Sequence, residues 1–202
     1  MKLAAIGCLG LIILGVLIVG GMAVSSYNSL VQLDQAVQAQ WGQVQNVYQR
    51  RADLVPNLVE TVKGAANFEK DTFTQVTEAR AKAGQVTSQV AGAAPTSQAD
   101  LDKFQQAQTN LGGALSRLMV VVERYPDLKA TQNFRDLQAQ LEGTENRISV
   151  ERMRFNDAAQ AFNTRRQGFP TVLIAGFFGS RFDVKPYFKA QEGAETAPKV
   201  KF

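Results

Sequence analysis

The chain has 202 residues, 45% of them apolar, which suffices for one domain with a real core plus an anchor. It has no histidine and a single cysteine, Cys8, so zinc sites, Ser-His-Asp and Cys-His catalytic sets and intrachain disulfides are excluded, and only carboxylate-based sites stay open. The net charge of +4 is spread among acids without a basic stripe interleaved with aromatics, which argues against nucleic-acid binding.

Leu3 to Val24 is an unbroken run of apolar and small residues. About 22 residues at about 1.5 Å each cover about 33 Å, enough for a bilayer core. Lys2 precedes the run and no further lysine or arginine occurs until Arg50. The positive-inside rule then favours a cytoplasmic N-terminus with residues 25–202 on the far side. Two rival readings are weaker. Ala23-Val24-Ser25 resembles a signal-peptide cleavage site, but the apolar run exceeds the usual ~7–15 residue core. Ala5-Ile6-Gly7-Cys8 loosely resembles a lipidation box, but the apolar run continues past the cysteine. An uncleaved anchor over 1–24 is expected.

Ser25-Ser26-Tyr27-Asn28 breaks the apolar run and offers helix caps, and Tyr27 falls where an interfacial aromatic would anchor the span. Leu30, Leu33, Val37, Trp41, Val44 and Tyr48 then recur at steps of three and four, one stripe of a helix whose opposite face is mostly glutamine. Trp41 is expected to be a core or interface residue. Pro56 lacks the N–H that would bond its i−4 carbonyl, so the helix should kink there or end near Val55. Arg50 and Asp53 are i, i+3 neighbours suited to a surface pair. Two readings of this stretch stay open. One is a kinked helix with solvated pairs; the other is a partner-facing patch in which Arg50, Arg51, Asp53 and Asn57 surround the bend at Pro56.

Gly64-Ala65-Ala66-Asn67 is a weak point at which Asn67 can cap a second helix carrying Phe73, Val76, Ala79, Ala83, Val86 and Val90. A turn at 91–97 leads to a third helix, capped by Thr96 or Ser97, with the stripe Leu101, Phe104, Leu111, Leu115, Leu118, Val122 and Tyr125. Gly112-Gly113 inside it suggests close helix packing. From Thr131 to about Arg166 the last helix repeats Phe134, Leu141, Ile148, Phe155 and Phe162 every seven residues, the mark of a supercoiled bundle seam.

The run from Phe169 to Phe178 is too short to span a membrane, and Phe182, Tyr187 and Phe188 follow with Arg181, Lys185 and Lys189 interleaved. It reads either as a cap over the open end of the bundle or as a lipid- or partner-contacting segment. In an up-and-down bundle of four helices the last helix ends where the first began, beside the membrane. Tyr27, Phe169, Phe177, Phe178, Tyr187 and Phe188 are therefore the membrane-interface candidates.

Several of these features form one long motif. Tyr27-Asn28-Ser29-Leu30-Val31, Trp41, Arg50-Arg51-x-Asp53-Leu54-Val55-Pro56-Asn57-Leu58-Val59-x-x-Val62-Lys63-Gly64, Glu69, Thr72, Val76, Ala79-Arg80 and Tyr125-Pro126-x-Leu128-Lys129-Ala130 together resemble the signature of the LemA family. The similarity covers nearly the whole chain after the span. Asn67-Phe68-Glu69 departs from relatives that carry a histidine before the glutamate, which weakens any metal role there. The resemblance implies four soluble helices, residence in a bacterial membrane and a loosely defined role in envelope organisation, with some relatives linked to membrane remodelling and others to membrane proteases.

The expected architecture is all-α: an N-terminal transmembrane helix at 1–24, an antiparallel up-and-down bundle of long helices over 25–168, an apolar and aromatic segment at 169–190 and a flexible tail at 191–202. The bundle has four long helices, or three if the first two fuse through Pro56 and Gly64. The expected function is a membrane-anchored, non-enzymatic scaffold or adaptor in the bacterial inner membrane. Its expected partners are membrane lipid, further copies of itself or a membrane protein such as a protease, with no catalytic residue, cofactor, metal or nucleic acid. An extracytoplasmic sensor or regulator is the alternative, although residues 1–2 are too few to carry a cytoplasmic output. An enzyme using only Asp53, Glu60 or Glu69 is disfavoured by their solvated helical spacing.

Overall fold

The computed structural model describes residues 2–63 and 70–190, so Gly64, Asn67, Glu69 and the tail at 191–202 lie outside it. Among the described residues every regular element is a helix, and there is no strand. Six helices follow in order: α1 (Lys2–Lys63), α2 (Lys70–Gln89), α3 (Gln98–Val122), α4 (Pro126–Lys129), α5 (Gln132–Gln167) and α6 (Thr171–Phe177). A 3₁₀ turn at Gly179–Phe182 and an extended segment over 183–190 complete the described residues.

α1 runs for 62 residues, about 93 Å, without interruption. Its first part is long and apolar enough to cross a membrane, and side chains such as Leu11 and Leu17 contact nothing that would cover them. Ser25, Ser26 and Asn28 are not used as caps, because the helix simply continues through them.

Pro56 also lies inside α1 and does not end it. The expected end near Val55 is overturned for a specific reason. The carbonyl that Pro56 cannot serve is that of Ala52, and Arg80 Nε, from α2, donates to it at 3.0 Å. A donor from the neighbouring helix replaces the missing main-chain bond.

The soluble part of α1 packs antiparallel to α5, while α2 and α3 form a hairpin laid against that pair. The four long helices thus make the bundle. Thr131 caps α5 and Ser97 caps α3, each accepting a main-chain N–H from three residues on. Along α5, Phe134, Ile148, Phe155 and Phe162 are buried and Leu141 is half-buried, so the heptad seam faces the core.

The core is in two parts. A cluster nearer the apolar start of α1 gathers Leu30, Val37, Trp41, Tyr48, Phe104, Phe155 and Phe162. A distal cluster gathers Val55, Leu58, Val62, Val76, Leu111, Leu118 and Phe134. Gly112 and Gly113 do not serve close helix packing as expected. A side-chain carbon at Gly113 would meet nothing within 4 Å, and one at Gly112 would meet only the tip of Arg51, 3.9 Å away.

Candidate functional site

Between the two apolar clusters lies a polar layer to which all four long helices contribute. Arg51 of α1 is 4% exposed. Its Nη1 pairs with Glu145 of α5 at 3.0 Å, and its Nη2 donates to the Gln108 main-chain carbonyl at 2.9 Å and to Gln108 Oε1 at 2.5 Å. Gln108 Nε2 in turn donates to Thr87 Oγ1 of α2 at 3.2 Å. The guanidinium fork suits this task, offering several fixed donors to carboxylate and amide oxygens. One turn below, the buried Tyr48 ring lies under Arg51, 5.1 Å from the guanidinium carbon. Burial raises its hydroxyl pKa above the ordinary value, against the opposing pull of Arg152 and Arg51.

The residues expected to form a partner-facing patch therefore divide. Trp41 is buried, its ring meeting Phe104 and Phe155 at 5.2 and 5.6 Å and its Nε1 donating to the Val90 carbonyl at 3.2 Å. Arg51 is buried in the polar layer, whereas Arg50, Asp53, Pro56 and Asn57 face outward on α1. Asp53 accepts from Gln49 at 2.7 Å, one turn back along α1. Trp41 and Arg51 are thus withdrawn from any outward patch, since a 3.6-residue period places them on the inner face.

The aromatic candidates divide as well. Tyr27 meets Phe178 at 4.9 Å and Phe182 at 5.6 Å, with Arg181 over its ring. Phe169 and Phe177 are 78% and 85% exposed on the same side of the bundle. Tyr187 and Phe188 leave this base. Phe188 is buried in the aromatic cluster, 5.4 Å from Phe155 and stacked on Trp41 at 6.3 Å. The membrane-interface expectation for Phe188 is corrected accordingly, because the chain turns back along the bundle after Phe182.

Residues 183–190 form a strap in the furrow between α3 and α5. Side-chain amides hold its main chain. Asn163 Nδ2 donates to the Lys185 carbonyl at 2.9 Å while Lys185 N donates to Asn163 Oδ1 at 2.8 Å. Asn156 makes the same two bonds with Phe188, at 3.0 and 2.9 Å. Gln98 makes them with Tyr187, at 3.0 and 3.2 Å. Lys185 is buried and pairs with Asp34 of α1 at 2.5 Å. Lys189 pairs with Asp102 at 2.9 Å, and hydrogen bonds from Gln98 and Lys189 hold the Asp102 carboxyl below its ordinary pKa.

Sequence reasoning missed these clips. Asn156 and Asn163 are seven residues apart on α5, as are Gln98 and Gln105 on α3. Amides at heptad spacing beside a bundle seam were the available signal. Beyond the strap the furrow opens into a groove of about 770 Å³ that includes Arg51, Gln105, Gly112, Glu145, Ser149 and Arg152. Among the described residues, no cluster of three or more histidines, cysteines, aspartates and glutamates is placed to hold a metal.

A family model described as the LemA family matches residues 40–202, which takes in Trp41, the polar layer, every clip residue and the strap. The chain belongs to the LemA family. Among curated proteins it is similar to "Magnetosome protein MamQ 1" of Paramagnetospirillum magneticum, 27% identical over 84% of this chain and 67% of that protein. It is also similar to "Magnetosome protein MamQ" of Magnetospirillum gryphiswaldense, 26% identical over the same shares. "Protein LemA" of Metamycoplasma hominis is 23% identical over 73% of this chain and 63% of its own length. The LemA-family match begins one residue before Trp41, so it leaves out the apolar start of α1 and the first bundle turns that carry Leu30 and Val37.

Proposed function

We propose that this LemA-family chain is a membrane-anchored scaffold or adaptor that works without catalysis, offering bundle surfaces to other proteins and to further copies of itself in organising the envelope. The observation that carries this reading is the unbroken α1. One helix passes from an apolar segment long enough to cross a bilayer directly into the bundle core, with no hinge between them. Such a joint holds the bundle at a fixed attitude to the lipid. Lys2, ahead of the apolar run, and the absence of lysine or arginine from there to Arg50 support an inner-membrane orientation with Lys2 on the cytoplasmic side and the bundle on the other. Arg50, Asp53, Pro56 and Asn57 then form an exposed strip well away from the lipid, available to a partner.

Native mass measurement of the full chain in detergent tests the reading. Multimers or a stoichiometric co-purifying protein are expected; a strict monomer at high concentration with nothing bound overturns it. The same continuity of α1 favours a second reading, a regulator that passes a change in the bundle to a membrane partner such as a protease. Crosslinking in cells from Asn57 separates the two. Capture of the chain alone supports the self-assembling scaffold, and capture of a protease supports the regulator.

A further inference from the structure

The strap is held as a β-strand would be held, but by side chains. Each of Asn163, Asn156 and Gln98 supplies one donor and one acceptor to a single strap residue, as a neighbouring strand would. On α5 the two clips define a register. Asn163 serves Lys185 and Asn156 serves Phe188, so seven helical residues, about 10.5 Å, match three extended residues, about 10 Å. The next step of that register on α5 falls at Ser149; on α3 the seven-residue step from Gln98 leads to Gln105, which grips Lys189 two residues along the strap, and then to Gly112. Ser149, Gln105 and Gly112 line the open groove.

The groove also holds unmet polar atoms. Gln105 Nε2 already grips the Lys189 carbonyl at 3.1 Å, shared with Arg152 Nη2 at 2.8 Å, but Gln105 Oε1 is buried without a partner. Nε of the buried Arg51 is likewise unpartnered. Buried polar atoms of this kind are costly unless something meets them. Gly112 and Gly113 keep side chains out of the trough, so a main chain can approach.

We propose that this groove is a binding site for extended peptide and that its occupant is residues 191–197 of the same chain. Length, charge and size agree. The lining of α3 runs from Gln105 to Met119, about 21 Å, which six or seven extended residues span, and the chain continues for twelve residues beyond Ala190. The strap ends at the mouth of the groove, already aligned along it by Gln105 and Arg152. Arg51 and Arg152 outnumber Glu145 in the lining, and residues 191–197 carry Glu192 and Glu195 with no cation. Gly193, Ala194 and Ala197 are small enough for a shallow trough. The register pairs Gln191 with Ser149. This site is independent of the scaffold reading, and either can fail alone.

Two measurements on the full chain in lipid nanodiscs test it, in a Cys8→Ser background. The first pairs Gln191→Cys with Ser149→Cys and, as a control, with Asn57→Cys on the outer face of α1, using a short thiol crosslinker. A fast intrachain product for Ser149→Cys alone is expected. A mainly interchain product assigns the groove to a second copy and overturns the proposal, as do equal rates for both pairs. The second measures binding of a labelled peptide with the sequence of residues 191–197. The chain truncated after Ala190 should bind it, and the full chain should bind it at least about tenfold more weakly, because the tethered segment competes at high effective concentration. Equal binding by both, or none by the truncated chain, overturns it.

Discussion

Arg50 and Arg51 are adjacent and chemically identical, yet only Arg51 belongs to the architecture. It is 4% exposed and ties α1 to Gln108 on α3 and Glu145 on α5. A buried polar layer of this kind contributes less to net stability than to register, since only one alignment of four helices satisfies it. Removing its centre takes the guanidinium donor from Gln108 Oε1 and leaves Glu145 without its cation. We expect Arg51→Ala to lower the unfolding free energy by about 2–3 kcal/mol and Arg50→Ala by less than about 0.5 kcal/mol. Urea denaturation of the detergent-solubilised chain, followed by Trp41 fluorescence, reads the difference. Arg51→Lys keeps charge but loses the fork, and we expect it to fall between them. Tyr48, one turn away, supplies a pH dependence. Burial holds its hydroxyl pKa above 10.0 in the folded chain. Its contribution is therefore intact below the unfolded pKa of about 10 and is lost as pH rises through the folded value. Melting temperature should drop as pH rises above about 10, with a shallower drop in Tyr48→Phe.

Elements show where sequence reasoning succeeds and where it stops. The long helices were legible because their apolar steps of three and four are local: the stripe from Leu30 to Tyr48 and the heptads from Phe134 to Phe162 face the core. At Pro56 the sequence leaves a kink or an end near Val55 open, and the end is ruled out by a rescue that is not local. The Ala52 carbonyl takes its bond from Arg80, 28 residues along the chain and on another helix. That contact gives a double-mutant cycle. Arg80→Ala should destabilise by about 1 kcal/mol with Pro56 present, because it orphans the Ala52 carbonyl. Pro56→Ala restores the main-chain donor, so the same Arg80→Ala should then cost only a few tenths of a kcal/mol, measured by urea midpoints. The strap was illegible for the same reason. Its hydrogen bonds join residues 22 to 89 positions apart, and the extended segment has no periodicity of its own, so only the heptad-spaced amides on α3 and α5 hint at it. Gly112-Gly113 looked like a packing signal because glycine in a helix costs about 1 kcal/mol and invites that explanation; here it borders open space instead.

For the whole molecule, the decisive question is how the bundle sits on its membrane. α1 leaves its apolar stretch near Tyr27, and α6 packs beside it there. Arg165 Nε donates to Ser29 at 3.2 Å, tying the end of α5 to the same level. α6 turns Leu173 and Phe177 outward, 64% and 85% exposed, with Phe169 next to them and Arg181 against Tyr27. Apolar rings beside a cation at the point where a helix leaves lipid suit the acyl–headgroup boundary. A second contact of this kind, beside a hingeless α1, would fix the tilt and rotation of the bundle as well as its tether. Trp41 offers an internal reference, since it stands 14 residues beyond Tyr27 on α1, about 21 Å along the axis. In nanodiscs containing lipid brominated near the top of its acyl chains, we expect native Trp41 emission to be unquenched. In the Trp41→Phe, Phe177→Trp double variant the emission should be blue-shifted and strongly quenched. A red, unquenched signal from that variant would leave α1 as the sole attachment and free the bundle to tilt. Quenching at the introduced tryptophan with none at Trp41 would establish two attachments to one bilayer, and with them a defined face of the bundle turned toward partners.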